Sequence, residues 1–181
     1  MLILASASPR RHELLLAAGI PHLVRPAVIA EKRGAEESPS AFVRRLAEEK
    51  ARAISREPGD IALGADTIVS LGRTVFGKPS DLADASRMLR ALSGRKHSVY
   101  TGICILSDRR SIVDLARTHV TFAHLSEREI RDYTRSGEPL DKAGAYAVQG
   151  LASKFVLSVE GCYQNVVGLP VSLVYRHLKS L

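Results

Sequence analysis

"LILASASPRRHELLLAAG", residues 2–19, decides the fold class. Residues 2–5 form an apolar run too short for a helix and read as a buried strand. A turn of small residues follows, and then a helix. Ser8 suits its N-cap, Pro9 suits the first helical position, where a missing N–H needs no partner, and Gly19 suits the stop. A strand passing through a short turn into a helix is the opening unit of an α/β domain. Arg10 and Arg11 do not fit a plain first turn, because the positive end of the helix dipole favours acids there. Either arginine alone reads as a solvated side chain. The two together favour an anion site, since free backbone N–H groups at a helix start bind phosphate and guanidiniums add charge-assisted bonds.

Outward from this unit, strands and helices alternate. "PHLVRPAVI" (residues 21–29) reads as a strand, and "AEKRGAEESPS" is a polar loop that carries Glu31. Ser38 and Pro39 repeat the cap-plus-proline pattern before a helix over residues 40–56. "IALGADTIVSL" (61–71) is an apolar strand interrupted by Gly64 and Asp66. Gly72 and Arg73 form a turn, and "TVF" returns as a hairpin partner. Residues 84–92 are an amphipathic helix. "HSVYTGICILS" and "RSIVDLARTHVTFAHL" form a hairpin of long strands. Ser126 and Glu129 make a capping box for a helix ending at Gly137. "FVLSVEG" is a further strand and "LPVSLVYRHLKSL" a C-terminal helix. The mixture of crossovers and hairpins predicts an α/β fold with a mixed β-sheet flanked by helices. A chain of 181 residues is expected to form a single domain over 1–181.

Composition narrows the class. Hydrophobic residues are 45% and charged residues 25%, as in a soluble globular protein. No apolar run is long enough to cross a bilayer, and no signal peptide is evident, so a cytoplasmic location without membrane association is expected. Cys104 and Cys162 are far apart without metal-type spacing and read as reduced thiols. The formal net charge of +7 suits an anionic partner. Aromatics at 5% with no Trp argue against a stacking platform for single strands.

Three further residues carry chemistry. Phe42, Leu46, Lys50 and Ile54 recur at i+4, so Lys50 lies on an apolar stripe. Its default reading is a snorkelling lysine with the amine in water; the functional reading sends the amine into a cleft. Asp66 sits inside an apolar strand, where a carboxylate needs a cation, several hydrogen bonds or a proton. A metal ligand or catalytic base fits it at least as well as a structural role. "GRTVFGKP" (72–79) imitates a Walker A loop, but Pro79 replaces the Ser/Thr that would hold Mg²⁺, so Lys78 remains only a candidate point charge for phosphate. His97, His119 and His124 read as structural or exposed. Asp141 and Lys142 read as a solvated pair. Ser6 and Ser8 lack the partners of a serine nucleophile.

Six pieces occur in order: "LILASASPRRHELL", "LGADTIV", "FGKP", "LSGRKHSVYTG", "LDKAGAYAVQG" and "VVGLPV". Together they closely resemble the Maf family of nucleotide pyrophosphatases over almost the whole chain. The resemblance implies an α/β enzyme with a substrate cleft beside a mixed sheet, similar to inosine-triphosphate pyrophosphatases. It implies hydrolysis of a nucleoside triphosphate to the monophosphate and pyrophosphate with a divalent metal, Mg²⁺ or Mn²⁺. It places the phosphate-binding turn on Ser8, Arg10 and Arg11, and catalytic roles on Glu31, Lys50, Asp66 and Lys78. Asp66 matches the family's proton acceptor, and Asp66 with Glu31 are the candidate metal ligands. Arg10, Thr67 and Gln149 match positions tied to substrate choice. "ADT" at 65–67 resembles the branch acting on dTTP and UTP, with CTP taken by some members. The branch acting on 7-methyl-GTP has Gln where this chain has Thr67. The expected partner is a nucleotide rather than nucleic acid, and a homodimer is left open. The implied role is nucleotide-pool house-cleaning with a link to arrest of cell division. The competing readings are the 7-methyl-GTP enzyme, a nucleic-acid-binding protein suggested by charge, and a non-catalytic septum regulator. Because truncation relieves like charge at the helix start, Arg11→Ala and Lys78→Ala are each expected to leave the ligand-free melting temperature unchanged or higher.

Overall fold

Along the first strand, alternate residues enter two different cores, and this fixes the layering. The computed structural model describes residues 1–181. Its elements are β1 (Leu2–Leu4), α1 (Pro9–Ala17), β2 (Leu23–Val24), α2 (Pro39–Ala53), β3 (Ile61–Leu71), β4 (Thr74–Phe76), α3 (Leu82–Leu92), β5 (Lys96–Leu106), β6 (Ser111–Phe122), α4 (Glu127–Arg135), β7 (Val156–Glu160), α5 (Tyr163–Val167) and α6 (Val171–Leu178). Short 3-10 turns occupy Glu138–Asp141, Ala143–Ala145 and Leu151–Phe155. The strand order is β2-β1-β3-β5-β6-β7, with β4 also on β3. β1 pairs in parallel with β2 and β3, whereas β3–β4 and β6–β7 are antiparallel. The sheet is therefore mixed, as expected.

The chain divides into two compact units, through both of which β3, β5 and β6 run. The first comprises residues 1–66, 101–116 and 168–181; the second comprises 67–100 and 117–167. In the first unit, Leu2, Leu4, Leu63, Ala65, Ile103 and Ile105 pack with Leu15 of α1 and Val171 and Val174 of α6. The intervening residues Ile3, Ala5, Ala62 and Cys104 pack with Ala47 and Ala51 of α2 and with Ile54. This period of two is what a strand covered on both faces requires. In the second unit, the buried residues Ala85, Met88, Leu89 and Leu92 of α3 and Ile130 and Tyr133 of α4 contribute to the core, with Phe122, Tyr146 and Phe155.

Several boundaries differ from the expectation. The strand over 21–29 shrinks to two exposed residues, because Pro26 cannot donate to a ladder. α2 stops at Ala53, since Ile54 turns extended into the core. α3 starts two residues early on the side-chain cap of Asp81. The Ser126–Glu129 capping box is present. Both cysteines are free thiols. No helix is long and apolar enough to cross a membrane.

Candidate active site

Two glycines bring the central lysine to its partner. A Cβ on Gly64 of β3 would lie 2.0 Å from the Ala47 carbonyl oxygen and 2.7 Å from the Ala51 nitrogen. A Cβ on Gly102 of β5 would lie 2.2 Å from the Val43 carbonyl oxygen. α2 therefore rests directly on strand backbone. Asp66 is two residues beyond Gly64, on the same face of β3. Lys50, one residue before Ala51, reaches it with Nζ 2.6 Å from Oδ1. The same amine lies 2.7 Å from Oε1 of Glu31.

Lys50 thus does not snorkel to water. It is 7% exposed, Asp66 is 6% exposed, and Glu31 supplies the solvent-facing end with its side chain 55% exposed. The cation that a carboxylate in an apolar strand requires is this lysine. Burial nevertheless raises the Asp66 pKa above the ordinary carboxylate value, against the opposing pull of Lys50 and Arg11. A carboxylate shifted upward is a better proton acceptor than an exposed one.

The opening turn lies in the same unit. Ser8 stands at the N-cap of α1, but its side chain makes no capping bond; its backbone N–H donates to Ser6 Oγ at 3.3 Å. Arg10 is half-buried. Arg11 is buried, so it is not the solvated side chain that either arginine alone suggests, and its donors are taken up by the protein itself. Its Nε donates to the Gly168 carbonyl, and Nη1 donates to Ser6 Oγ and to the Ala65 carbonyl, each at 2.9 Å. Burial lowers its pKa, while Asp66 acts to raise it and Arg10 to lower it further. One guanidinium therefore ties the turn, β3 and the start of the C-terminal segment together. Truncation of Arg11 would remove all three bonds, so the structure replaces the expectation of unchanged stability with one of destabilisation.

Ser8, Arg10, Arg11, Glu31, Lys50 and Asp66 all belong to the first unit, and Thr67, Lys78 and Gln149 to the second. Thr67 is half-buried; Lys78 and Gln149 are exposed. Lys78 follows the β3–β4 hairpin, whose Gly72 has φ +59°, so the stretch 72–79 is not a phosphate loop. His97 is buried with Nε2 2.9 Å from Tyr146 Oη, His119 meets Ser98, and His124 is exposed. Lys142 pairs with Asp141, but its side chain is only 15% exposed, so the pair is not the fully solvated one that the sequence suggests. Sequence reasoning missed Ser6 and the carbonyls of Ala65 and Gly168 as partners of Arg11. Main-chain acceptors leave no residue-type signal, although Gly168 lies in one of the recognised motifs.

No cluster of three or more His, Cys, Asp or Glu side chains forms an all-protein metal cage. Asp66 and Glu31 are hard-oxygen donors of the type that share Mg²⁺ or Mn²⁺ with substrate phosphates, although the point at which both converge is held by the Lys50 amine.

The family model for Maf-like proteins matches residues 1–181. The dTTP/UTP pyrophosphatase of Koribacter versatilis (strain Ellin345) is 50% identical over 179 residues, covering 98% of this chain and 93% of that one. The protein of the same name from Bacillus anthracis is 49% identical, covering 98% and 94%. The solved structure of the Staphylococcus aureus Ham1 protein aligns over 99% of this chain and 98% of that one, at 12% identity and a TM-score of 0.48. At that score the likeness carries no weight, and the family rests on the sequence matches. This chain belongs to the Maf family.

Proposed function

We propose that this chain is a nucleoside triphosphate pyrophosphatase that hydrolyses dTTP and UTP, with CTP as a lesser substrate, to the monophosphate and pyrophosphate. The observation that carries the reading is Asp66, a buried carboxylate whose pKa burial raises, held by Lys50 against Glu31. Family membership and the names of relatives at about half identity support the substrate class. Asp66 accepts the proton of the attacking water, and Lys50 holds its orientation. Ser8 and Arg10 bind phosphate at the helix start, with the charge of Arg11 behind them. With Asp66 as the proton acceptor, Glu31 would hold a divalent cation together with the substrate's phosphates, and that cation would neutralise charge on the leaving pyrophosphate. No covalent intermediate is needed. The full chain works as one catalytic domain.

Base choice is assigned to Thr67 and Gln149 of the second unit. The Gln149 amide offers one acceptor and one donor edge, which match the N3–H and a flanking carbonyl of uracil or thymine. Cytosine presents the reverse pattern, which a rotated amide can satisfy. Pyrophosphate release from UTP, dTTP, CTP, GTP and 7-methyl-GTP, with Mg²⁺ and Mn²⁺, tests this. UTP and dTTP are expected to lead in kcat/KM, and Gln149→Ala to narrow their lead over the purine nucleotides. Preference for 7-methyl-GTP would place the chain in the other branch. Absence of hydrolysis beside salt-sensitive DNA binding would favour a nucleic-acid role.

A further inference from the structure

The second unit contains a loop, residues 144–151, held from three sides. Gly144 and Ala145 have φ of +70° and +61°, and Ala145 is the chain's one non-glycine residue in that region. A side-chain-bearing residue adopts such a backbone only where its surroundings enforce it. A Cβ on Gly144 would stand 2.7 Å from Val69 Cγ2, and the Gly144 N–H donates to the Gly77 carbonyl at 3.0 Å. Tyr146 Oη is 2.9 Å from Nε2 of His97, which is 2% exposed. The rings of His97, Phe122 and Tyr146 pack edge to face, with centroids 4.7–5.5 Å apart. On the third side, the Ala147 N–H donates to Tyr133 Oη at 3.3 Å, and Tyr133 Oη donates to Glu138 Oε1 at 2.8 Å. The other oxygen of Glu138 accepts from the Leu151 N–H at 3.0 Å. Gly150 completes the fit, since a Cβ there would lie 2.4 Å from Glu138 Oε2. Exposed Gln149 stands between the Ala147 and Leu151 anchors.

We propose that His97 and the Tyr133–Glu138 pair are positioning residues for base selection, presetting this loop so that Gln149 is presented in one orientation. The proposal rests on the pyrophosphatase reading above and names what enforces its selectivity. An amide free to swing satisfies a uracil or a cytosine edge alike, so discrimination requires a fixed backbone beneath it. The loop's anchors supply that fixity, and none of them needs to touch the nucleotide.

Tyr133→Phe tests this with little disturbance, because it keeps the ring that packs at 5.6 Å from Phe155 and removes the hydroxyl. His97→Asn removes the opposite anchor. In both variants the ratio of kcat/KM between the best base and its nearest competitor is expected to fall about three- to tenfold, the worth of one hydrogen bond. The loss should appear in KM, with kcat on the best nucleotide nearly unchanged. Amide exchange at residues 144–151 should quicken, and Glu138→Gln, which keeps one acceptor, should fall between the wild type and Tyr133→Phe. A purely structural role would lower the melting temperature and leave the base ratio untouched, and that result in both variants overturns the proposal. Slow wild-type exchange at Ala147 and Leu151 is also expected, and exchange as fast as in an unstructured chain overturns it without any variant. A wild type that hydrolyses no nucleotide overturns the function reading and this inference together. Base-selective wild type with unchanged variants overturns this inference alone.

Discussion

Arg11 and His97 are buried for opposite electrostatic reasons. Arg11 keeps its charge by donating to two main-chain carbonyls and the Ser6 hydroxyl. Truncation to Ala would leave those acceptors unmet in the interior, so Arg11→Ala is expected to lower ligand-free stability by about 3 kcal/mol. Chemical denaturation measures this; unchanged stability would mean that water replaces the guanidinium. His97 is instead held neutral, its pKa pushed down by burial from 6.5 to about 4. The unfolded chain therefore binds the extra proton first as pH falls. The stability this group contributes is full above pH 6.5 and is lost between there and about pH 4, amounting to about 3 kcal/mol. Denaturation midpoints of the wild type and His97→Asn across that range should converge on the acid side. Parallel curves would show that His97 does not titrate between the two states.

At the scale of elements, the contact of α2 with β3 makes the site. Gly64→Ala would drive a methyl group into the Ala47 carbonyl, which is main chain and cannot swing aside. α2 must then shift, and the Lys50–Asp66 contact of 2.6 Å opens. A stability loss of about 1–3 kcal/mol is expected from overpacking, with a larger fall in kcat than in substrate affinity. Wild-type kcat in Gly64→Ala would show that the spacing of α2 does not matter to turnover. Much of this was legible in sequence. The strand at 61–71 and its hairpin partner appear with the residues expected, because apolar runs and turn glycines are local signals. Lys50 and Asp66 were each conspicuous on their own element. Their pairing was not legible, because it depends on how closely a helix can approach a strand. The 144–151 loop was less legible still, since 3-10 turns carry no hydrophobic period and its anchors come from β5, α4 and Glu138. The two-residue β2 shows the converse, an apolar stretch whose prolines prevent the ladder its side chains favour.

For the molecule as a whole, the +7 charge and the family match over all 181 residues fit hydrolysis of a triphosphate, and the buried carboxylate fits the proposed proton acceptor. Charge alone also fits nucleic acid, but it gives no reason to bury an aspartate and a lysine together. The most direct measurement is pyrophosphate release from UTP by Asp66→Asn beside the wild type, with Mg²⁺ or Mn²⁺ present. The amide keeps the shape of the carboxylate, and Lys50 retains Glu31 as its counter-ion. The variant is therefore expected to melt within a few degrees of the wild type and to lose about 10²- to 10⁴-fold in kcat, the range supplied by a general base. Turnover at the wild-type rate by a folded Asp66→Asn protein would contradict the assignment of Asp66 as the proton acceptor.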